Sequence, residues 1–187
     1  METRAASVAQ AQEFAGTVDG PIVAKASGVA HKTEGGLVRF GVRPAELTEV
    51  WDELAAAGDG TVLLAEQIDA ELELIVGGYR DSSFGPLVTV GIGGIAAEIF
   101  GDIVAILAPT EDNEVAGAVR RLAGWRLLTG IRGRRPVDLD ALGDIVDVVG
   151  GLLCSDPAVA EIDCNPVMVR NGSPIVADAL VVLNDEE

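Results

Sequence analysis

The chain has 187 residues, of which 49% are hydrophobic, and it carries a net charge of −17 at pH 7. This apolar content supports a substantial core and argues against disorder, while the negative charge disfavours nucleic acid as a partner. No apolar run approaches the roughly 18 residues of a membrane span, and no secretory leader opens the sequence. We therefore expect a cytoplasmic protein of one domain or two small lobes, with no membrane partner.

The first predicted strand carries one unexpected charge. Residues 3–15 are rich in Ala and Gln and favour a helix, which Gly20-Pro21 would end. Pro21-Ile-Val-Ala-Lys-Ala26 then predicts a short buried strand that contains Lys25. Because an unpaired ammonium is expensive to bury, Lys25 either reaches solvent at the strand end or meets an anion such as a phosphate.

A polar, Gly-rich loop from Gly28 to Gly36 holds the only histidine, His31. A lone loop histidine is more often a surface residue than a catalyst, although the glycine pair after it permits close approach of the backbone to a ligand. Residues 37–42 and 61–67 predict strands on either side of an amphipathic helix. Glu66 ends the second of these strands, at a position suited to a hinge between lobes.

The middle of the chain predicts an antiparallel hairpin. Residues 71–80 and 87–92 have strand patterns, and a turn that contains Gly85-Pro86 separates them. The segment Gly91-Ile-Gly93-Gly94 is either a tight turn or a nest of backbone N–H groups that can bind an anion. A further strand is expected within residues 98–108.

Two helices and a basic segment come next. Thr110 and Asp138 are the expected N-caps of these helices. Residues 124–136 hold the only basic cluster of this acidic chain, which is either a solvated loop or a site for an anion or an acidic partner. Cys154 and Cys164 both lie among apolar residues, so we expect both to be buried.

The stretch from residue 161 to residue 178 gathers most of the polar chemistry. Asn171-Gly172 between β-branched runs predicts a type I′ hairpin turn, whose register sets Asn165 opposite Asp178. Side chains alternate along a strand, so Glu161, Asp163 and Asn165 share one face. Such oxygen ligands suit Mg²⁺, which usually takes one or two of them together with substrate phosphates. A solvated acidic face on an edge hairpin would show the same pattern.

The strands lie mostly in hairpins among mixed helices, which indicates an α+β fold. Eight segments, in this order, then carry a family resemblance: Pro21-Ile-Val-Ala-Lys25, His31-Lys-Thr-Glu-Gly-Gly, Glu73-Leu-Ile-Val-Gly, Arg80-Asp-Ser-Ser-Phe-Gly-Pro, Gly91-Ile-Gly-Gly-Ile, Leu107-Ala-Pro, Gly130-Ile-Arg-Gly and Glu161-Ile-Asp-Cys-Asn-Pro. Together they resemble the ATP-grasp domain of the ADP-forming acyl-CoA synthetases, such as acetyl-CoA synthetase (ADP-forming), which are relatives of succinyl-CoA synthetase. Each motif is weak alone, but eight in order are specific.

The resemblance implies two α+β lobes that close on ATP, expected at residues 1–66 and 67–187. It implies binding of ATP or ADP and transfer of a phosphoryl group to or from a phosphohistidine. Lys25 resembles the lysine on the ATP phosphates, and Glu66 falls near the hinge that holds adenine and ribose. Glu73, Gly93 and Gly94 are the further nucleotide-binding candidates, because the Gly91–Gly94 turn resembles a loop near the transferred phosphoryl group.

The resemblance also implies the residues of the chemical step. Asn165 and Asp178 resemble the Mg²⁺ ligands, in agreement with the pairing derived from the hairpin. Asp163 resembles the acid that supports a phosphohistidine. His31 resembles the mobile-loop histidine that carries the phosphate in ADP-forming acetyl-CoA synthetases.

The sequence departs from the family pattern near its start. The family usually opens with an additional helix and a Gly-Ile-Pro strand that this sequence does not contain, so we expect an N-terminally truncated smaller lobe. The CoA-binding and ligase lobes would come from a partner subunit or a fused domain. The leading hypothesis is the ATP-grasp part of an acid-CoA ligase (ADP-forming); the alternative is a non-catalytic or regulatory ATP-grasp module that acts through partner binding.

Overall fold

The computed structural model of the chain describes residues 1–29, 36–94, 100–111 and 113–184. Two compact units divide the chain, Met1–Ile68 and Asp69–Glu187. Each combines helices with an antiparallel sheet, which confirms the α+β class. Within the described ranges, no helix has the length and apolar content needed to cross a bilayer.

The first unit is a four-stranded antiparallel sheet with two helices. Its strands lie in the spatial order β1-β4-β2-β3. They are β1 (Glu2–Ala5), β2 (Ile22–Ala26), β3 (Val38–Val42) and β4 (Val62–Glu66). Helices α1 (Val8–Ala15) and α2 (Leu47–Ala57) pack against each other and on the sheet.

The prediction of a helix over residues 3–15 is correct only for its second part. The chain first forms β1, which pairs with β4 from Glu2–Ala65 to Ala5–Val62. Only then does Ser7 cap α1, its hydroxyl accepting a hydrogen bond from the Gln10 N–H at 3.3 Å. Sheet pairing with a strand about sixty residues away therefore outweighs the helix propensity of the first residues.

The core of the first unit fixes the side of the sheet on which Lys25 lies. Ile22, Ala24 and Ala26 of β2 are buried in the cluster that the helices cover. Because side chains alternate along a strand, Lys25 projects from the opposite, helix-free face. Its neighbours across the sheet are Val38 on β3 and Leu63 on β4.

The second unit is built on a six-stranded sheet in the order β10-β8-β5-β6-β7, with β9 also paired to β8. All of its pairings among described residues are antiparallel. The predicted hairpin of residues 71–92 is confirmed. The strands are β5 (Leu72–Asp81), β6 (Gly85–Ile92), β7 (Ile103–Leu107), β8 (Val159–Arg170), β9 (Ser173–Val176) and β10 (Leu180–Leu183).

The helices of the second unit are α3 (Glu114–Val119), α4 (Trp125–Leu128) and α5 (Leu139–Ser155), with a 3₁₀ turn at Ile131–Gly133. Asp138 caps α5 as predicted, accepting from the N–H groups of Asp140 and Ala141. The predicted cap at Thr110 is wrong. Asn113 occupies the N-cap position of α3, and the Thr110 hydroxyl instead donates to Asp147 on α5.

Helix α5 covers one face of this sheet, packing on β5, β6 and β8. Leu142, Val146 and Leu153 lie on its buried side. Cys154 follows Leu153 by one residue, a rotation of roughly 100° about the helix axis, and is exposed, so its predicted burial is wrong. Cys164 on β8 is buried as expected.

The end of the β5–β6 hairpin anchors the C-terminus of α5. The guanidinium of Arg80 donates to the backbone oxygens of Leu153, Asp156 and Val159. Leu153 lies in the last turn of the helix, where geometry leaves carbonyls without a partner inside the helix, Asp156 is its C-cap, and Val159 begins β8. Arg80 therefore ties the sheet to the helix that covers it.

Candidate functional site

The acidic face predicted on β8 is present. Ile162 and Cys164 are buried in the core, whereas Asp163 is half-buried and Glu161 and Asn165 are exposed. The two sets alternate along the strand, so the polar residues lie on the sheet face opposite α5. This face of β8 is the candidate site.

The predicted hairpin register holds on both sides of the site. Arg170 pairs with Ser173, and Met168 with Ile175. The partner strand is interrupted between β9 and β10. Beyond this break, Asp163 pairs with Leu180 in the same register. Asp178 falls inside that break, and the shared register sets it opposite Asn165.

A bulge in the pairing of β8 with β5 lies at Asn165. Leu74 pairs with Val167 and Val76 with Cys164, so Ile75 alone faces the two residues Asn165 and Pro166. A bulge of this kind bends the strand and re-aims a side chain. The sequence offered a signal for it, since proline inside a strand marks either an edge or a bulge.

The carboxylates of the site interact electrically. Partial burial, followed by the negative charges of Glu161 and Asp178, raises the pKa of the Asp163 carboxyl above its ordinary value. Like charges held this close favour either a proton or a cation among them. The Asp163 charge also adds to the effect of burial in raising the pKa of the Cys164 thiol.

The oxygen donors of this face fit a Mg²⁺ ion that is shared between the protein and a bound ligand. Asn165 and Asp178 offer carboxamide and carboxylate oxygens, which are the hard ligands that this ion takes. Within the described part of the chain, no three His, Cys, Asp or Glu side chains form a cage that could hold a metal.

Glu73 and the glycine turn lie together in the second unit. The Gly93 N–H donates to the Glu73 carbonyl oxygen at 2.8 Å. A Cβ on Gly94 would lie 3.2 Å from a carboxylate oxygen of Glu73, and Gly94 has a φ of +67°. The turn therefore depends on glycine for its backbone conformation as well as for its proximity to Glu73.

Lys25 and Glu66 belong to the first unit. Lys25 is half-buried on the helix-free face of the sheet. Glu66 ends β4 opposite Ile22, and one of its carboxylate oxygens lies 3.6 Å from the N-terminal ammonium of Met1. His31, the predicted phosphate carrier, lies outside the described residues.

Gly77 is a feature of the site that the sequence analysis did not identify as functional. It sits on β5 between Asp163 of β8 and Thr89 of β6. A Cβ there would lie 2.8 Å from the Thr89 hydroxyl oxygen. Glycine inside a strand marks close approach of another group, and here that group is the Thr89 hydroxyl.

Comparison with known proteins places the chain in a family. The model of the ATP-grasp domain matches residues 1–183. The Archaeoglobus fulgidus acetate–CoA ligase [ADP-forming] I is 33% identical over 192 residues, which cover 97% of this chain but 28% of the ligase. The Pyrococcus furiosus acetate–CoA ligase [ADP-forming] I subunit beta is 31% identical, with 93% of this chain and 80% of the subunit covered.

A solved structure agrees with this assignment. The dinucleotide-forming acetyl-coenzyme A synthetase 1 of Ca. Korarchaeum cryptofilum, in complex with coenzyme A and Ca-AMPCP, superposes with a TM-score of 0.88 at 29% identity, covering 98% of this chain and 85% of that one. A second complex of that synthetase holds Mg-AMPPCP, with its phosphohistidine segment pointing towards the nucleotide-binding site (TM-score 0.83, 28% identity, coverage 98% and 85%). This chain belongs to the ATP-grasp domain family.

Proposed function

We propose that this chain is the nucleotide-binding ATP-grasp part of an ADP-forming acid–CoA ligase. In this role it exchanges a phosphoryl group between ATP or ADP and a phosphohistidine. Its similarity to the Pyrococcus beta subunit and to a synthetase crystallised with Mg-AMPPCP supports the proposal. The chain spans 28% of the length of the Archaeoglobus ligase, and in this proposal a partner subunit or a fused domain would supply the CoA-binding and ligase functions.

In this proposal residues 1–66 form the smaller lobe and residues 67–187 the larger lobe. The observation that carries it is the hairpin register, which sets Asn165 opposite Asp178 beside the partly buried Asp163. Asn165 and Asp178 would hold Mg²⁺, and the ion would neutralise charge on the nucleotide phosphates. In this proposal the nucleotide phosphates would supply further oxygen ligands, so metal and nucleotide would bind together.

The remaining residues bind and orient the reacting groups. Lys25 would contact nucleotide phosphates, and Glu66 would accept hydrogen bonds from the adenine or ribose. The backbone of Gly93 and Gly94 would lie near the transferred phosphoryl group, and Glu73 would lie next to these glycines. Phosphoryl transfer requires mainly positioning and charge neutralisation, which this set of groups supplies.

His31 would accept the phosphoryl group on a ring nitrogen, and Asp163 would be the acid that supports a phosphohistidine. A neutral imidazole is a competent nucleophile near pH 7, and a carboxylate that accepts its other N–H fixes the tautomer. Partial burial, followed by the negative charges of Glu161 and Asp178, raises the pKa of Asp163, and a cation would offset the contribution of those charges.

Calorimetric titration of the full chain with ATP and ADP, with and without Mg²⁺, tests the site. We expect Mg²⁺-dependent binding that Asp178→Asn weakens at least tenfold, since this change keeps size but removes the charge. Asp52→Asn, an exposed carboxylate on α2, is the matched control and should leave affinity unchanged. Nucleotide binding that is indifferent to Mg²⁺ and to Asp178→Asn would contradict the proposed ligands.

Labelling with γ-³²P-ATP tests the histidine. His31→Ala should abolish acid-labile labelling while nucleotide affinity is retained, because the imidazole receives the phosphoryl group rather than holding the nucleotide. Label that persists in this variant would refute the role of His31. A folded chain that binds no nucleotide at all would instead favour a module that acts through its partner.

A further inference from the structure

The second unit carries an arginine-rich surface that the proposed function does not use. Six of the thirteen basic residues of the chain fall between positions 120 and 135, where there is no acidic residue. All six are exposed. We name this surface the arginine patch; it consists of Arg120, Arg121, Arg126, Arg132, Arg134 and Arg135.

The patch is not neutralised within the chain. In the first unit every arginine forms an ion pair: Arg4 with Asp59, Arg39 with Glu53, and Arg43 with Glu46. No ion pair found among the described residues involves the patch. Arg120 stacks over the Trp125 ring at 5.8 Å and Arg134 donates to the Glu71 carbonyl, so both guanidiniums keep their full charge.

The composition of the patch is that of a protein interface. It contains arginine and no lysine, and arginine is enriched in interfaces whereas lysine is depleted. Leu127 and Ile131, 41% and 38% exposed, add apolar surface between the arginines. The guanidiniums are spread over several short segments, so the acidic surface of another protein molecule fits them better than a small anion.

A complementary surface lies on the same unit. A groove of about 220 Å³ runs between the start of α3 and the first half of α5. Four carboxylates line it, and none of the ion pairs in the described ranges engages them. We name it the acidic groove; its carboxylates are those of Glu111, Asp140, Asp144 and Asp147.

The two surfaces begin at opposite ends of one helix. The acidic groove includes Asn113, the N-cap of α3, and the arginine patch starts at Arg120, its C-cap. Two copies related by a two-fold axis, with their α3 helices antiparallel, would each place a patch against the partner's groove. We propose that the arginine patch docks into the acidic groove of a second copy of this chain, forming a symmetric dimer.

Charge makes this association weak and salt-dependent. Outside the patch the chain has seven basic and thirty acidic residues, so two copies attract only where patch and groove meet. Exposed ion pairs are individually small and are screened within about 8 Å at physiological ionic strength. The dimer should therefore form reversibly at low salt and weaken at least tenfold in 0.5 M NaCl.

Sedimentation velocity of the full chain over a concentration series tests the dimer. We expect Arg121→Glu/Arg126→Glu to be monomeric, and Asp140→Arg/Asp144→Arg to be monomeric as well. Glu49→Arg/Asp52→Arg, a matched double reversal on α2, should dimerise like the parent chain. Circular dichroism checks the fold of each variant, and the milder Arg121→Gln/Arg126→Gln should weaken dimerisation without reversing charge.

Mixing the two monomeric variants gives the decisive result. In the mixed dimer, the altered patch of the arginine variant faces the altered groove of the aspartate variant. The unaltered groove of the arginine variant faces the unaltered patch of the aspartate variant. The second contact keeps its full attraction and the first pairs the new glutamates with the new arginines, so the mixture should form a heterodimer that neither variant forms alone. A parent chain that stays monomeric at low salt, reversals that leave dimerisation intact, or a mixture that fails to associate would each overturn the proposal.

Discussion

The contact between Arg80 and α5 should be a main source of stability for the second unit. Arg80 is the only residue of the β5–β6 hairpin whose side chain is seen to hydrogen-bond to the backbone at the helix end in the described structure. It donates to the Leu153 carbonyl, to Asp156 at 2.7 Å and to Val159 at 3.0 Å. Arg80→Ala removes all three bonds at once.

The expected loss of stability in Arg80→Ala follows from how exposed each of the three hydrogen bonds is. The bonds to Leu153 and Val159 are partly buried, whereas the bond to Asp156 is exposed. A hydrogen bond contributes roughly 0.5–1.5 kcal/mol net, towards the upper end when the donor is charged and shielded from water. Two bonds at the upper end and one at the lower end sum to about 3.5 kcal/mol. Arg80→Lys should lose less, because an ammonium still satisfies part of the set.

Urea unfolding followed by tryptophan fluorescence measures this loss. The two tryptophans report on different units, so a Trp51→Phe background leaves Trp125 as the reporter of the second unit. This background is mild, since the Trp51 indole N–H has no hydrogen-bond partner in the described structure. Ser82→Ala, at an exposed position in the turn that follows Arg80, is the control and should change stability by less than about 0.5 kcal/mol. A loss below about 1 kcal/mol for Arg80→Ala, with an unchanged denaturant slope, would refute this reasoning.

Three further predictions concern pH, turn geometry and thiol reactivity. Because folding raises the pKa of Asp163 above its ordinary value of 3.8, the charged carboxylate destabilises the folded state at pH values above 3.8. Asp163→Asn should therefore raise the free energy of unfolding at pH 7. This gain should vanish when unfolding is measured at pH values below 3.8. Gly172→Ala should cost more than about 1 kcal/mol in urea unfolding, since φ is +86° and the new Cβ would lie 2.5 Å from the Pro136 carbonyl oxygen. A maleimide should label Cys154 in the folded chain and Cys164 only after unfolding, so rapid labelling of folded Cys154→Ser would contradict the assigned burial.

The hairpin at the site could be predicted closely because its signals are local. Asn171-Gly172 specifies the turn, the turn specifies the register, and the register determines which side chains share a face. Residues about ten positions apart along the chain were therefore paired without knowledge of the rest of the fold. The family resemblance, confirmed by the match over residues 1–183, came from motif order and supplied what spacing alone could not.

The errors arose where distant contacts decide local structure. Residues 2–5 favour a helix locally but complete a sheet with β4, and sequence propensity carries no information about that partner. Thr110 resembles a helix cap, yet its hydroxyl binds Asp147 on a helix far along the chain. The close approach of the Thr89 hydroxyl to Gly77 likewise became visible only when β5 and β6 lay side by side.

The order of strands in the second sheet has a consequence for synthesis of the chain. β8 carries the acidic face and lies between β5 and the β9–β10 edge, yet it is made after every helix seen in the described structure. β5, β6 and β7 can pair as they leave the ribosome, but one edge of β5 stays open until residue 170 has emerged. An open strand edge invites pairing with other chains, and closing such distant contacts is slow. Ribosomes stalled before β8 should therefore expose an aggregation-prone nascent unit, which completes its fold only when the strand that carries the acidic face has been made.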